Sequence, residues 1–188
     1  MIRAALAALA LTWAPWASAG AQGLPLEIGG PFTLTDQTGA WRTQVEPQGR
    51  LQLVLFGYAA CQDMCLVTLP FMARVTEALA AEGIGIVPVM ITIDPQTDTP
   101  EAMGPALAAH SPDFVGLTGS EAELAPVYEA FGVARELLFT DPEGRRVYSH
   151  SGPLYLLGPE GRFLTILPPI LPEAQYLAIL RGYAGGPG

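Results

Sequence analysis

The chain has 188 residues, half of them hydrophobic, which suits one domain of ordinary size with a substantial core. Its formal net charge is -9, and its nine basic residues are all arginine. That acidic balance excludes an electrostatic nucleic-acid surface as its business.

The N-terminus reads as a targeting segment. Arg3 precedes an apolar run from Ala4 to Trp16, and Ala17-Ser18-Ala19 forms a small-x-small cleavage site. This is the layout of a secretory signal peptide over residues 1-19. Pro15 and the small residues after it favour cleavage; an uncleaved membrane anchor over residues 3-19 is the alternative. Cleavage after Ala19 removes Arg3 and no acid, leaving 8 Arg against 18 Asp and Glu, a net charge of -10. In either case the domain, residues 20-183, is expected outside the cytoplasm in an oxidising compartment.

The remaining elements follow in order. The stretch GPFTLTDQTGAWRTQV, ending at Val45, reads as a hairpin around an Asp-Gln-Thr-Gly turn. Leu51 to Gly57 is a buried strand, and Gly57 to Ala60 a short loop. Leu69, Met72, Val75 and Leu79 recur at helical spacing and predict a helix from Cys65 to Ala81, stopped by Gly83. Ile84 to Ile93 is a second buried strand in which Pro88 predicts an irregularity. Thr99 caps a helix that Pro100 opens, and Phe114 to Leu117 is a short strand. Ser120 with Glu123 is a capping box, and Gly132 ends that helix. Hairpins are predicted around Asp141 to Gly144 and around Gly158 to Gly161. A last helix runs from Pro172 to Tyr183, and residues 184-188 form a flexible tail. Alternating strands and helices closed by an antiparallel hairpin predict an α/β sandwich with a mixed sheet.

The chemistry concentrates in FGYAACQDMCLVTLP. Cys61 and Cys65 are the two cysteines of the chain. They follow a predicted strand end, where ligands gather in such sheets. A cysteine in the first turn of a helix has its thiolate stabilised by unpaired N–H groups and the helix dipole. Four residues on a helical turn separate two Cα atoms by roughly 6 Å, which suits a disulfide or a shared ion. A static disulfide is the weakest of three readings, because so small a loop contributes little stability. A redox couple and a metal site stay open. His110 sits near a helix end, where a cation suits the dipole, and is assigned no function. His150 precedes a predicted central strand; if that strand lies beside Leu51 to Gly57, the imidazole arrives at the cysteine loop. Two thiolates and one imidazole suit copper, Cu(I) especially and Cu(II) as well, whereas zinc would want a fourth ligand.

Several motifs in order resemble one family. GGPFTLTDQTGAW, FGYAACQDMCLVTLP, ITIDPQTDTPEAM, HSPDFVGLTGS and SHSGPLYLLGPEGRF are similar to successive segments of the SCO/SenC family of copper chaperones. The resemblance implies a thioredoxin-like fold, a central mixed β-sheet flanked by helices with an added N-terminal β-hairpin. It implies copper ligation by Cys61, Cys65 and His150, a periplasmic location, and a role in cytochrome c oxidase assembly. The implied partner is the CuA-bearing oxidase subunit or another copper chaperone, with membrane association where the N-terminal segment stays uncleaved. Asp63 matches the family's acid between the cysteines. Asp94 and Asp98 match its acidic loop and read first as loop-capping residues, then as partner-facing ones. Gln62 and Leu66 replace prolines that usually follow each cysteine, which loosens the loop. Ser149 stands where many members have an aspartate that could orient the imidazole. Pro153 is laid out like the cis-proline of thioredoxins, with an ordinary strand-start proline as the alternative. Together with the altered cysteine loop it motivates a second functional reading, a thiol–disulfide oxidoreductase using Cys61 and Cys65 as its catalytic pair.

Overall fold

Leu51–Gly57 (β3) and Ile86–Thr92 (β4) are buried along almost their whole length, because both faces of their sheet are covered. The structure is a computed structural model. It describes residues 28-59, 65-150, 152-168 and 170-185, with the backbone alone at positions 65 and 66. The expected signal segment and most of the cysteine loop lie outside the described residues.

Thr33–Asp36 (β1) and Trp41–Thr43 (β2) form the expected N-terminal hairpin. The helix Cys65–Ala81 (α1) joins β3 to its parallel neighbour β4. Pro100–Ala108 (α2) then leads to Val115–Thr118 (β5), parallel to β4. Glu121–Phe131 (α3) is followed by the hairpin Arg135–Thr140 (β6) and Arg146–His150 (β7). Leu154–Leu157 (β8), Phe163–Leu167 (β9) and Glu173–Gly185 (α4) complete the chain. The main sheet has the order β2-β1-β5-β4-β3-β8-β9, while β6 and β7 pair with each other in a separate two-stranded sheet. This is the mixed sheet with flanking helices and an added N-terminal hairpin that the sequence predicts.

Local chemistry explains the helix limits. Thr99 accepts the N–H of Ala102, and Pro100 fills the first helical position, where a missing N–H costs nothing. Ser120 and Glu123 cap α3 reciprocally, and Gly132 leaves it at φ 65°, a conformation glycine takes without strain. The apolar stripe Leu69, Met72, Val75 and Leu79 is buried as its spacing predicts. Phe71 of α1 meets Tyr176 of α4 edge-on at 4.8 Å, which ties these two helices together. A second aromatic cluster supports the carboxyl end of β3. Phe56 packs against Phe131 at 5.2 Å and Tyr155 at 5.6 Å, and the Tyr155 hydroxyl donates to the Phe131 carbonyl.

Three expectations change. Pro88 causes no irregularity: β4 stays in register with β3 through Leu53↔Pro88, and its pairing with β5 begins one residue later at Val89. The missing proline N–H therefore falls where the ladder to β5 has not yet started. The last helix runs to Gly185, two residues past the boundary expected at Tyr183. No peptide bond among the described residues is cis, so the bond preceding Pro153 is trans and the thioredoxin-type alternative does not hold.

Candidate metal centre

The carboxyl ends of β3 and β4 are locked side by side. Gly57 pairs with Thr92, and the Ile93 N–H donates to the Gly57 carbonyl at 2.8 Å. Tyr58 and Ala59 leave β3 toward Cys61, which lies two residues beyond Ala59 and outside the described residues, as do Gln62 and Asp63. Cys65 is the first residue of α1, as its helical spacing predicts. Pro70 removes the N–H that would tie back to the Leu66 carbonyl, so the turn beginning at Cys65 has one helix bond fewer.

His150 is the last residue of β7 and is partly buried. Its ring lies 6.1 Å from the Tyr58 ring, edge to face. The reason is topological. β8 is antiparallel to β3, with Val54 opposite Tyr155, so the chain entering β8 comes from the carboxyl end of β3. The expected pairing of the strand after His150 with Leu51 to Gly57 is observed, and it brings His150 beside Tyr58; residues 60-64 of the cysteine loop lie outside the described residues. The difference is that His150 ends a strand of its own small sheet.

The turn after β4 carries two buried carboxylates. Asp94 and Asp98 are each 1% exposed, which agrees with a loop-holding role and leaves no surface for a partner. Asp98 accepts the Ala59 N–H at 3.1 and 3.2 Å and the Thr92 hydroxyl at 2.7 Å. Burial pushes its carboxyl up to about 6, against these donors, and the Asp94 charge adds to the rise. Asp94 pairs with Arg146 at 2.5 Å and accepts the Tyr148 hydroxyl at 3.2 Å. Burial, and then Asp94, hold the Tyr148 phenol above its ordinary range. Arg146 also reaches the Gln96 amide oxygen and the Thr97 hydroxyl. Arg135, opposite His150 in the hairpin, donates to the Ile93 carbonyl and to Glu121, and lies 4.8 Å over the Tyr128 ring.

Sequence reasoning missed Tyr58, Arg146 and Tyr148. A signal was present: Arg146, Tyr148 and His150 alternate along β7, so they share one face. His110 follows α2, its N–H donates to the Leu107 carbonyl, and it does not join the centre. Among the described residues no group of three or more His, Cys, Asp or Glu side chains gathers around a point. Cys61 and the Cys65 side chain lie outside that set. Also among the described residues, no helix is long and apolar enough to cross a membrane.

Known proteins share this fold. The sequence profile of SCO1/SenC matches residues 20–185. An SCO2-like protein of Rickettsia prowazekii is 34% identical over 140 residues, covering 74% of this chain and 68% of the relative. The mitochondrial SCO1 homolog of Homo sapiens is 35% identical over 144 residues, covering 76% of this chain and 48% of the human one. Bradyrhizobium japonicum ScoI, solved with copper bound, superposes with a TM-score of 0.73 at 30% identity, over 83% of this chain and 99% of that one. The match by profile, sequence and fold together spans most of the chain, and the protein belongs to the SCO1/SenC family.

Proposed function

We propose that this protein is a periplasmic copper metallochaperone that binds copper through Cys61, Cys65 and His150 and delivers it to the CuA centre during cytochrome c oxidase assembly. The observation that carries the reading is the meeting of His150 with Tyr58, three residues ahead of Cys61. The copper-bound state of the Bradyrhizobium relative supports the choice of metal. So does the donor set, two thiolates and an imidazole, which suits Cu(I) above hard cations.

In this account both cysteines are reduced before loading. The N–H groups and dipole of the first turn of α1 favour the Cys65 thiolate. The neutral imidazole of His150 closes the site with a nitrogen lone pair. Unloading proceeds by ligand exchange. An acceptor thiolate takes the place of one donor, and the remaining donors follow in turn. Copper keeps its charge and no covalent substrate is consumed.

The second reading, a thiol–disulfide oxidoreductase, needs the cysteine pair and no histidine. The trans bond at Pro153 removes one of its motives. His150→Ala separates the two. We expect it to weaken Cu(I) binding strongly and to leave reduction of a partner disulfide unchanged. Unaltered copper affinity in that variant would overturn the three-donor site.

A further inference from the structure

Among the described residues, the strand that carries His150 has no ladder to the main sheet and pairs only with β6. Something else must fix the imidazole. Polar side chains of its strand converge on one turn. Asp94 takes both of its β7 partners from the face that also bears His150: Arg146, four residues before it, and Tyr148, two residues before it. The Tyr148 ring lies 5.6 Å from that of Tyr58, and its N–H points to the Tyr58 hydroxyl at 3.5 Å. Tyr58 in turn meets the His150 ring at 6.1 Å in an edge-to-face contact. Four residues after Asp94, Asp98 holds the Ala59 N–H at the entry to the cysteine loop. The two acids are joined through backbone, Asp98 N–H to the Asp94 carbonyl at 2.9 Å. A carboxylate taken out of water is retained where partners satisfy it. Here the partners of one acid lie on the histidine strand, and those of the other at the carboxyl ends of β3 and β4, the first of which leads to the cysteines.

We propose that the turn from Asp94 to Asp98 is a bracket that sets the spacing between the histidine and cysteine arms of the centre, with Asp94 the positioning residue for His150 through Arg146 and Tyr148. Asp94 does not touch the ion. It fixes the strand so that the imidazole is already in place when the thiolates load. The inference rests on the copper reading for its consequence, and on the metal-free protein for its geometry.

Two substitutions test it. Asp94→Asn keeps the shape and removes the charge; Tyr148→Phe keeps the ring against Tyr58 and removes the hydroxyl. In reduced, metal-free protein, backbone hydrogen exchange should rise at least ~10-fold across residues 146-150 in Asp94→Asn, and less in Tyr148→Phe, with residues 53-56 of β3 unchanged. In the copper titration, residues that hold a metal-bound histidine in orientation typically contribute ~10- to 100-fold in affinity. Asp94→Asn should therefore lose about that much. The double variant Asp94→Asn/His150→Ala should bind no more weakly than His150→Ala alone, because Asp94 acts through His150. Losses that multiply in the double variant, or unchanged exchange in β7 of either variant, overturn the bracket. A wild-type protein that takes up no Cu(I) would sink the copper reading by itself, and the exchange result would still decide the positioning claim. Should Asp94→Asn fail to fold, Tyr148→Phe carries both measurements.

Discussion

Arg146 and Asp94 meet at 2.5 Å, Nη2 to Oδ1, and this ion pair joins the histidine-bearing hairpin to the turn after β4. The Asp94 side chain is 2% exposed and that of Arg146 17%. Breaking such a pair from one side leaves a charge without its partner in a poorly solvated place. Removing one member of a buried pair costs roughly 3–5 kcal/mol. The Tyr148 hydroxyl stays with Asp94 and Arg146 is partly wet, so Arg146→Gln should cost less, about 2 kcal/mol. Urea unfolding of the metal-free protein reads this directly. A midpoint equal to wild type would mean the pair contributes nothing to the fold.

Asp98 gives stability a pH dependence of unusual sign. Its carboxyl is raised from 3.8 to about 6 in the folded protein, so the fold favours the neutral form. The contribution is therefore complete below the unfolded value and is lost as pH rises through the folded one. A rise of that size corresponds to about 3 kcal/mol, lost between roughly pH 4 and pH 6. Asp36 and Glu46 are lowered, so their stabilisation has the opposite sign and is lost as pH falls through their ordinary values of 3.8 and 4.5, overlapping only the acid end of this window. Asp98→Asn should flatten the dependence between pH 4 and 6 in urea titrations of the reduced protein. An unchanged slope in the variant would place its origin elsewhere.

Much of this centre was legible in the sequence, and the unread part has a physical cause. β3 and α1 fall on the predicted residues because an unbroken apolar run and a 3.6-residue stripe are local signals. The caps of α2 and α3 are equally local, resting on Thr99-Pro100 and Ser120-Glu123. His150 needed one further step, the pairing of β8 with β3, and that step holds. Asp94, Arg146 and Tyr148 were not joined, because the ion pair spans 52 residues of chain and the motif around Asp94 does not name its partner. Pro88 was misread because proline in a strand forbids one hydrogen bond and not the strand; the ladder to β5 starts just after it.

The floor beneath the centre is aromatic. Phe56 is fully buried between Phe131, Tyr155 and Tyr128, and it lies two residues before Tyr58. Phe56→Ala should destabilise by roughly 3–5 kcal/mol through lost burial and the cavity left behind. The measurement is chemical denaturation at pH 7. A loss under about 1 kcal/mol would mean that the ring stack collapses to fill the gap.

Gly116 on β5 lets α2 approach the sheet closely. A Cβ there would lie 2.5 Å from Leu107 Cδ1 and 2.7 Å from Met103 Cε. Both neighbours are ends of side chains buried under the helix. Gly116→Ala should cost about 1–3 kcal/mol by overpacking, with copper binding unchanged. Thermal unfolding with and without bound metal checks both halves. A variant as stable as wild type would show that the two side chains have room to turn aside.

The central claim, a copper site closed by two cysteines and His150, is tested most directly by titrating the reduced protein with Cu(I) against a competing chelator. The account predicts one copper per chain. A reduced protein that leaves the copper with the chelator would contradict it.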